Sequence, residues 1–407
     1  MEFVSNILVE KFECLADKCP NTCCQQWEIE VDEDTWGAWN RQPEAARRAL
    51  VTSVSTIPSP DGSRKLVLKQ RDDGFCPLLD GKALCSVQQQ YGHEMLPRVC
   101  REYPRQEMNF GGRRVVRSIK HSCPQTVRLL LEAHRRRPRE LLEWGDEGGA
   151  AAPGEDELGL QRLEPMLLQV MDESDTPLAL RLYRVYEVLD ALAEAHLADR
   201  LDASLVRKQC KVSEKGVRKA LKALETKQAQ GQLRPNLAQT GQLWEALFTG
   251  LWPRLQPMFG DRLAGSPTFQ YLLTRLEAHK GDAPVDANQC KVTGNRVMKA
   301  AKALPPRYRA TLSGYLTLRL VDSGFARSPE LVVNARVFHA NALLLAVLEL
   351  LLWCRMELGE LDDDVFVDTV HRIERRLGTN RPIFQLLKTF PQELGLQAGQ
   401  QMALMLG

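Results

Sequence analysis

Eight of the eleven cysteines in this 407-residue chain fall before residue 124. Cys14, Cys19, Cys23 and Cys24 share the stretch CLADKCPNTCC, and Cys76, Cys85, Cys100 and Cys123 follow. Only Cys210, Cys290 and Cys354 lie beyond. Thiols this dense constrain the fold of the first third, because order in such a segment comes from bonds made by sulfur more than from a large apolar core. In a reducing compartment, clustered cysteines are metal ligands or redox centres more often than disulfides.

A cytoplasmic setting is expected. The N-terminal MEFVSNILVEKFE is too short and too acidic to read as a signal peptide. The longest apolar run, Ala342 to Trp353, contains Glu349 and falls short of the roughly 20 residues a span needs. At 44% hydrophobic and 26% charged the composition is that of a soluble globular protein. A net charge of +2 makes no global case for nucleic acid or membrane.

The cysteine spacings run C-x4-C-x3-C-C, C-x8-C, C-x14-C and C-x22-C. Structural zinc sites usually pair short knuckles, and an adjacent Cys-Cys is unusual for them. Irregular thiolate spacing suits an iron–sulfur cluster, which takes four cysteines and tolerates long loops. Zinc, and redox or packing thiols without metal, remain open on spacing alone. The radical S-adenosylmethionine pattern C-x3-C-x2-C is absent: Cys19 and Cys23 begin it, but Cys24 follows at once.

The expected fold is mainly α. A cysteine-rich metal-binding domain with short strands occupies 1–144, a linker 145–156 (GDEGGAAAPGED), and an all-helical domain 157–407. In the first domain Asp32 or Asp34 is placed to cap a short helix carrying Trp36 and Trp39. A helix over 43–51, an extended piece at 65–69 and a hairpin over 106–119 turning at Gly111-Gly112 follow. Residues 126–144 read as a helix kinked or ended near Pro138. Thr176-Pro177 reads as a cap and first turn, and Leu182, Val185, Leu189 and Leu192 as an apolar stripe. Further helices are expected near 161–172, 213–228, 241–256, 267–279, 294–303, 306–320, 335–357, 362–377 and 382–390.

Between Arg98 and Arg139 twelve Arg and Lys face three Glu, an excess suited to an anionic group or to a solvated face. Residues 209–224 match 289–304 at ten of sixteen positions. Each copy reads as a Ser/Thr cap and a basic helix, with Lys219 and Lys222 or Lys299 and Lys302 on neighbouring faces. A paired basic surface, a DNA-gripping helix-turn-helix and a repeated scaffold helix all suit that pattern. His93 and His121 lie among the cysteines, where hydrogen bonding is the plainer role than ligation. His339 and His371 fall on expected helices, and the HRIERR that begins at His371 is given no chemical role.

The series CLADKCPNTCC, then FCPLLDGKALCSVQQQYGHEMLPRVCREYPR, then HSCP, resembles the CxxCxxCC family of zinc- or iron-chelating proteins. Within that family it is most similar to the flagellin lysine-N-methylases, across residues 10–125. The resemblance implies a bacterial cytoplasmic enzyme that transfers methyl groups from S-adenosylmethionine to lysines of flagellin, with a 4Fe-4S cluster, or zinc, as the metal. By position it implies Cys14, Cys19, Cys23, Cys24, Cys76, Cys85, Cys100 and Cys123 as the metal set. It also places Arg98, Arg101, Tyr103, Pro104 and Arg105 in the motif around Cys100.

The residues themselves carry no strand-then-GxGxxG signature and no alternating strand–helix pattern. Methyl transfer needs a deprotonated lysine, hence a carboxylate or tyrosine base, and an aromatic wall for its stem. Glu28, Glu30 and Tyr103 are the base candidates. Trp27, Trp36, Arg98, Arg101 and Arg105 are candidates for the cofactor's surroundings, although the tryptophans equally suit a lid that keeps water from a metal. A metal-dependent protein-interaction module and a redox or metal carrier are the alternatives.

Overall fold

The structure, a computed structural model, describes residues 2–25, 27–59, 62–110, 114–146, 158–234, 302–322 and 331–378, with 295 and 299 besides. The chain is mainly α, with short strands before residue 147 and helices after it. Strands β1 (Glu2–Asn6), β4 (Arg105–Phe110), β5 (Arg114–Ile119) and β6 (Leu142–Asp146) form one sheet in the order β4-β5-β1-β6. β1 lies parallel to β5 and antiparallel to β6, and β4 pairs with β5 as a hairpin. Strands β2 (Val54–Pro58) and β3 (Arg64–Leu68) form a separate ribbon.

Two apolar cores result. The first joins the sheet, through Val4, Val116 and Ile119, to helix α6 (Pro124–Glu132) and to α7 (Leu163–Asp172), α8 (Leu178–Leu197), α10 (Glu214–Ala229), α11 (Pro306–Asp322), α12 (Leu331–Glu357) and α13 (Asp363–Ile373). It therefore draws on both sides of the expected linker, whose residues 147–156 lie outside those described. A buried ion pair between Arg114 of β5 and Glu164 of α7 fixes the sheet to the helices, with 3% and 7% of the side chains exposed. Breaking such a pair by removing one partner strands a charge. The second core is smaller and entirely N-terminal. Ile29, Val31, Trp39, Leu50, Leu68, Cys76, Val87 and Leu96 fill it, from α2 (Glu33–Asn40), α3 (Glu44–Thr52), α4 (Ser86–Tyr91), the ribbon and the loops between.

Local signals place most of these elements. Asp32 caps α2, accepting from the Thr35 amide at 3.0 Å and hydroxyl at 2.8 Å, and from the Arg98 amide at 2.7 Å. That last bond ties α2 to α5 (Arg98–Glu102), the helix that carries Cys100. Ser213 caps α10 through the Gly216 amide at 3.2 Å. Val217, Leu221 and Leu224 of α10 are buried while Lys219 and Lys222 are exposed, and eleven of the sixteen residues of the second copy lie outside the described residues. The expected helices at 241–256, 267–279 and 382–390, and six of the ten residues of 294–303, also lie outside them.

Three expectations are corrected. Residues 126–144 are not one helix: α6 ends at Glu132, a 3-10 turn spans Pro138–Leu141, and β6 follows. Pairing with β1 overrides the local pattern there. Helix α8 begins after Pro177 without a side-chain cap, so Thr176 does not serve as one. In α12, the segment Ala335–Glu357 is long and apolar enough to cross a membrane, more than the run around Glu349 suggested. Its apolar window is 94% buried, as a core helix is, and α12 packs on α8, α11 and α13.

Trp39 is fully buried and donates from Nε1 to the Met95 carbonyl at 2.8 Å. Trp39→Ala is expected to destabilise the second core by about 3–5 kcal/mol, read as a lowered urea midpoint for the loss of near-ultraviolet tryptophan signal.

Candidate metal and methyl-transfer site

The eight N-terminal thiols come from four separated segments and gather where the two cores meet. Cys24, Cys76, Cys85 and Cys100 pack on the second core, Cys123 on the first. Each pair within Cys23, Cys76, Cys85 and Cys100 lies in electrostatic reach. Cys19 in turn reaches Cys14, Cys23 and Cys123. Cys23 belongs to both groups, and its Sγ stands 4.0 Å from that of Cys24. None of these cysteines is in a disulfide. Among the described residues, no group of three or more His, Cys, Asp or Glu side chains is arranged to hold a metal ion. The thiols form a neighbourhood and not a finished ligand cage.

Two opposed forces act on the sulfurs. Desolvation pushes Cys76 and Cys123 up to about 11 and raises Cys85 and Cys100 as well. For Cys23 the contact with Cys24 raises the pKa first and desolvation second. Backbone amides work the other way. Those of Leu78, of Val87 and Gln88, and of Gln125 and Thr126 face the sulfurs of Cys76, Cys85 and Cys123. The Ala16 amide donates to Cys14 Sγ at 3.4 Å. Cys85 and Cys123 precede the first turns of α4 and α6, where free amides and the helix dipole favour negative charge. Amides aimed at sulfur are the surroundings a thiolate uses, and a soft metal cation would supply the charge that offsets burial. The donor set fits a thiolate-bound metal.

The other expected site residues divide. Trp27 donates to the Cys23 carbonyl at 2.6 Å and lies 5.8 Å from the Tyr103 ring, so it covers the thiol loop. Tyr103 shares a 3.2 Å hydrogen bond with Ser122, and burial, then the Cys123 charge, drives its pKa well up. It is therefore a hydroxyl donor and not a phenolate base at neutral pH. Glu28 pairs with Lys65 at 2.5 Å, and Glu30 is exposed where its backbone bridges Val67. Among the described bonds none joins either carboxylate to a cysteine. Trp36 packs on the second core. Arg105 is structural: it donates to the carbonyls of Val9 at 3.3 Å and Phe12 at 2.8 Å, over the Phe12 ring. Arg101 reaches Glu94 at 3.4 Å, and Arg98 contributes its backbone amide to Asp32.

Relatives among curated proteins match only part of the chain. Flagellar biosynthetic protein FliU of Salmonella muenchen is 27% identical over 124 residues, 30% of this chain and 73% of FliU. Lysine-N-methylase of Salmonella typhimurium (strain LT2) is 25% identical over 134 residues, 30% of this chain and 31% of that protein. Its counterpart in Salmonella choleraesuis is 27% identical over 124 residues, again 31% of its length. The chain thus spans under a third of each lysine-N-methylase it matches. No family model and no solved structure matches. The names of these relatives point toward lysine methylation and flagellar biosynthesis.

Two contacts to this site come from residues that sequence reasoning left without a role. Asn21 Nδ2 lies 2.9 Å from His371 Nε2, and both terminal nitrogens of Arg375 donate to the Thr22 carbonyl at 3.0 Å. No local signal connects positions some 350 residues apart. His93 is exposed, the His339 side chain lies outside the described residues, and His121 is buried edge-on to Tyr315 with ring centroids 5.2 Å apart.

Burial brings His371 down to about 4, against the pull of Asp368 and with the help of Arg372 and Arg375. An unfolded chain protonates histidine near ~6.5, so between these values the unfolded state binds the extra proton. The contribution is complete above about 6.5 and lost as pH falls toward about 4. Resistance to urea is expected to decline as pH falls across that window, and His371→Gln to flatten the slope. An unchanged slope counts against a buried neutral His371.

Proposed function

We propose that this protein is a cytoplasmic lysine N-methyltransferase that uses S-adenosylmethionine as methyl donor and flagellin lysines as substrate. In this reading Cys23, Cys76, Cys85 and Cys100 hold a 4Fe-4S cluster. The observation that carries it is that those four thiols, drawn from three separate stretches of sequence, all fall within electrostatic reach of one another without yet closing a cage. A cubane cluster takes four cysteines. The names of the relatives add lysine methylation and the flagellar setting.

A cluster held by those four thiols would supply positive charge to the thiolates and, with a cysteine on each iron, would leave no iron open to a cofactor. The chain's own residues do the rest. Trp27 and Tyr103 form an aromatic corner beside Cys23 that excludes water and can hold a lysine stem and its cation. The Tyr103 hydroxyl, anchored on Ser122, offers a fixed donor at that corner. Desolvation at such a surface lowers the pKa of an incoming lysine and so favours the neutral amine that attacks a methyl group.

A second reading follows from the position of Cys24, Cys76, Cys85 and Cys100 on the small second core. There a zinc ion would act as a staple for residues 13–103, with interaction and not methylation as the outcome. Iron, sulfide and zinc content of protein purified without oxygen separates the two. About four irons and four sulfides per chain, followed by methyl transfer to flagellin, is the expected result. Zinc alone with no methyl transfer refutes the enzyme reading. Cys23→Ser and Cys100→Ser are each expected to lose most of the bound metal and to destabilise the second core. Full metal content and unaltered melting in both variants would overturn the quartet.

A further inference from the structure

Between Phe12 and Ile29 regular structure among the described residues is limited to the 3-10 turn Ala16–Lys18 and the single bridge of Gln25 to Phe75. Inside the loop the tip, Asn21 and Thr22, is held by side chains: Gln25 Nε2 donates to Asn21 Oδ1 and to the Thr22 carbonyl at 3.2 Å, and the Cys24 amide donates to Thr22 Oγ1 at 3.1 Å. The same tip is also gripped from the far end of the chain. His371 Nδ1 lies 3.1 Å from the Val367 carbonyl, which can only accept, so Nδ1 carries the proton. Nε2 is then left to accept from the Asn21 amide at 2.9 Å. Arg375 closes the same tip by its two bonds to the Thr22 carbonyl. The gripped residues sit between two thiols: Cys19 donates to the Asn21 carbonyl at 2.8 Å, and Cys23 follows Thr22 directly.

Arg375 is itself set by a buried network. After Ile373 the helix widens into a π turn, Glu374–Gly378, a rare conformation met mostly at functional sites. Arg319 of α11 bonds the Glu374 carboxylate, the Gly378 carbonyl at 3.3 Å and Asn341 of α12 at 2.7 Å. The Tyr315 hydroxyl donates to Glu374 as well. A Cβ on residue 378 would collide with that carboxylate. Glu374 thus faces inward on a pinned turn while its neighbour Arg375 reaches the loop. The Arg375 charge also acts on Cys19, Cys23 and Tyr103, favouring their ionised forms.

The geometry points to α13 and its π turn as a clamp that positions the cysteine loop, with His371 and Arg375 as positioning residues that hold Cys19 and Cys23 against the remaining thiols. The clamp goes beyond the methyltransferase reading and would serve any metal held by these thiols.

The test uses the full chain and involves no methyl transfer, so its failure and that of the enzyme reading are separable. Amide hydrogen exchange over residues 14–24 is followed by mass spectrometry in Arg375→Ala and Asn21→Ala. Exchange is expected to accelerate about tenfold in both, the effect of losing one charge-assisted or well-placed hydrogen bond, with α8 unchanged. Arg375→Lys, which keeps the charge and a donor, is expected to recover most of the protection. Asn21→Ala leaves the helices untouched but removes the bonds to both His371 and Gln25. Gln25→Ala, which keeps the His371 and Arg375 contacts, is its control. Asn21→Ala is expected to accelerate exchange more than Gln25→Ala, and equal effects count against the clamp. Zinc titrated as a probe into the metal-stripped chain is expected to bind about tenfold more weakly in both variants. Unchanged exchange in Asn21→Ala, or unchanged zinc affinity in both variants, overturns the positioning role. If the parent chain takes up no zinc, exchange alone decides.

Discussion

A thiol leaves water cheaply while it keeps its proton and at great cost once ionised, and the first third of this chain is arranged around that asymmetry. The second core draws in Cys76, Cys85 and Cys100 as if they were small apolar residues. At the same time the amides that follow Cys76, Cys85 and Cys123 are turned toward sulfur, where they help an anion. Neither force alone explains both observations. Together they describe a site where burial prevails and keeps the thiols protonated, while the amides stand ready for the anion that an added cation would favour.

The site's place at the meeting of two cores follows from which residues flank each cysteine. Cys123 sits at the start of α6 and so belongs to the helical body; Cys76, Cys85 and Cys100 sit on short elements around Trp39. The loop 13–28 passes between them and is covered by Trp27 against Tyr103. Asp32 contributes at a distance, because one carboxylate caps α2 and receives the first amide of α5. Desolvation opposes its ionisation, but the amides of Arg98 and Thr35 outweigh it and hold its pKa down, so the charge that fixes Cys100 persists well into acid.

What could be read in advance depended on how local its cause was. The Asp32 and Ser213 caps, the β4–β5 hairpin and the apolar face of α8 each arise within a few residues, and all were legible. The cysteine neighbourhood was legible as a set, because side-chain chemistry survives ignorance of the fold; which of its members lie within reach of one another was not, since spacing does not reveal which segments meet. β6 was missed because the alternation of Leu142–Asp146 runs for only five residues, one of them a glycine, and it is a strand through its register with Glu2–Asn6. The Arg105 guanidinium looked free for an anion, yet two backbone carbonyls near Phe12 had already taken it. His371 and Arg375 looked like one more polar stripe on a helix until the loop at Asn21 was placed beside them.

The strand order carries a consequence for biosynthesis. β1 leaves the ribosome before both of its neighbours, residues 114–119 and 142–146. At about 5–20 residues per second, β1 waits on the order of ten seconds for a partner. Cys14 to Cys24 wait alongside it, since Cys100 emerges some eighty residues later and Arg375 later still. The synthesis of the segment between Cys24 and Cys100 is therefore the interval in which the thiols of Cys14 to Cys24 are most open to oxidation.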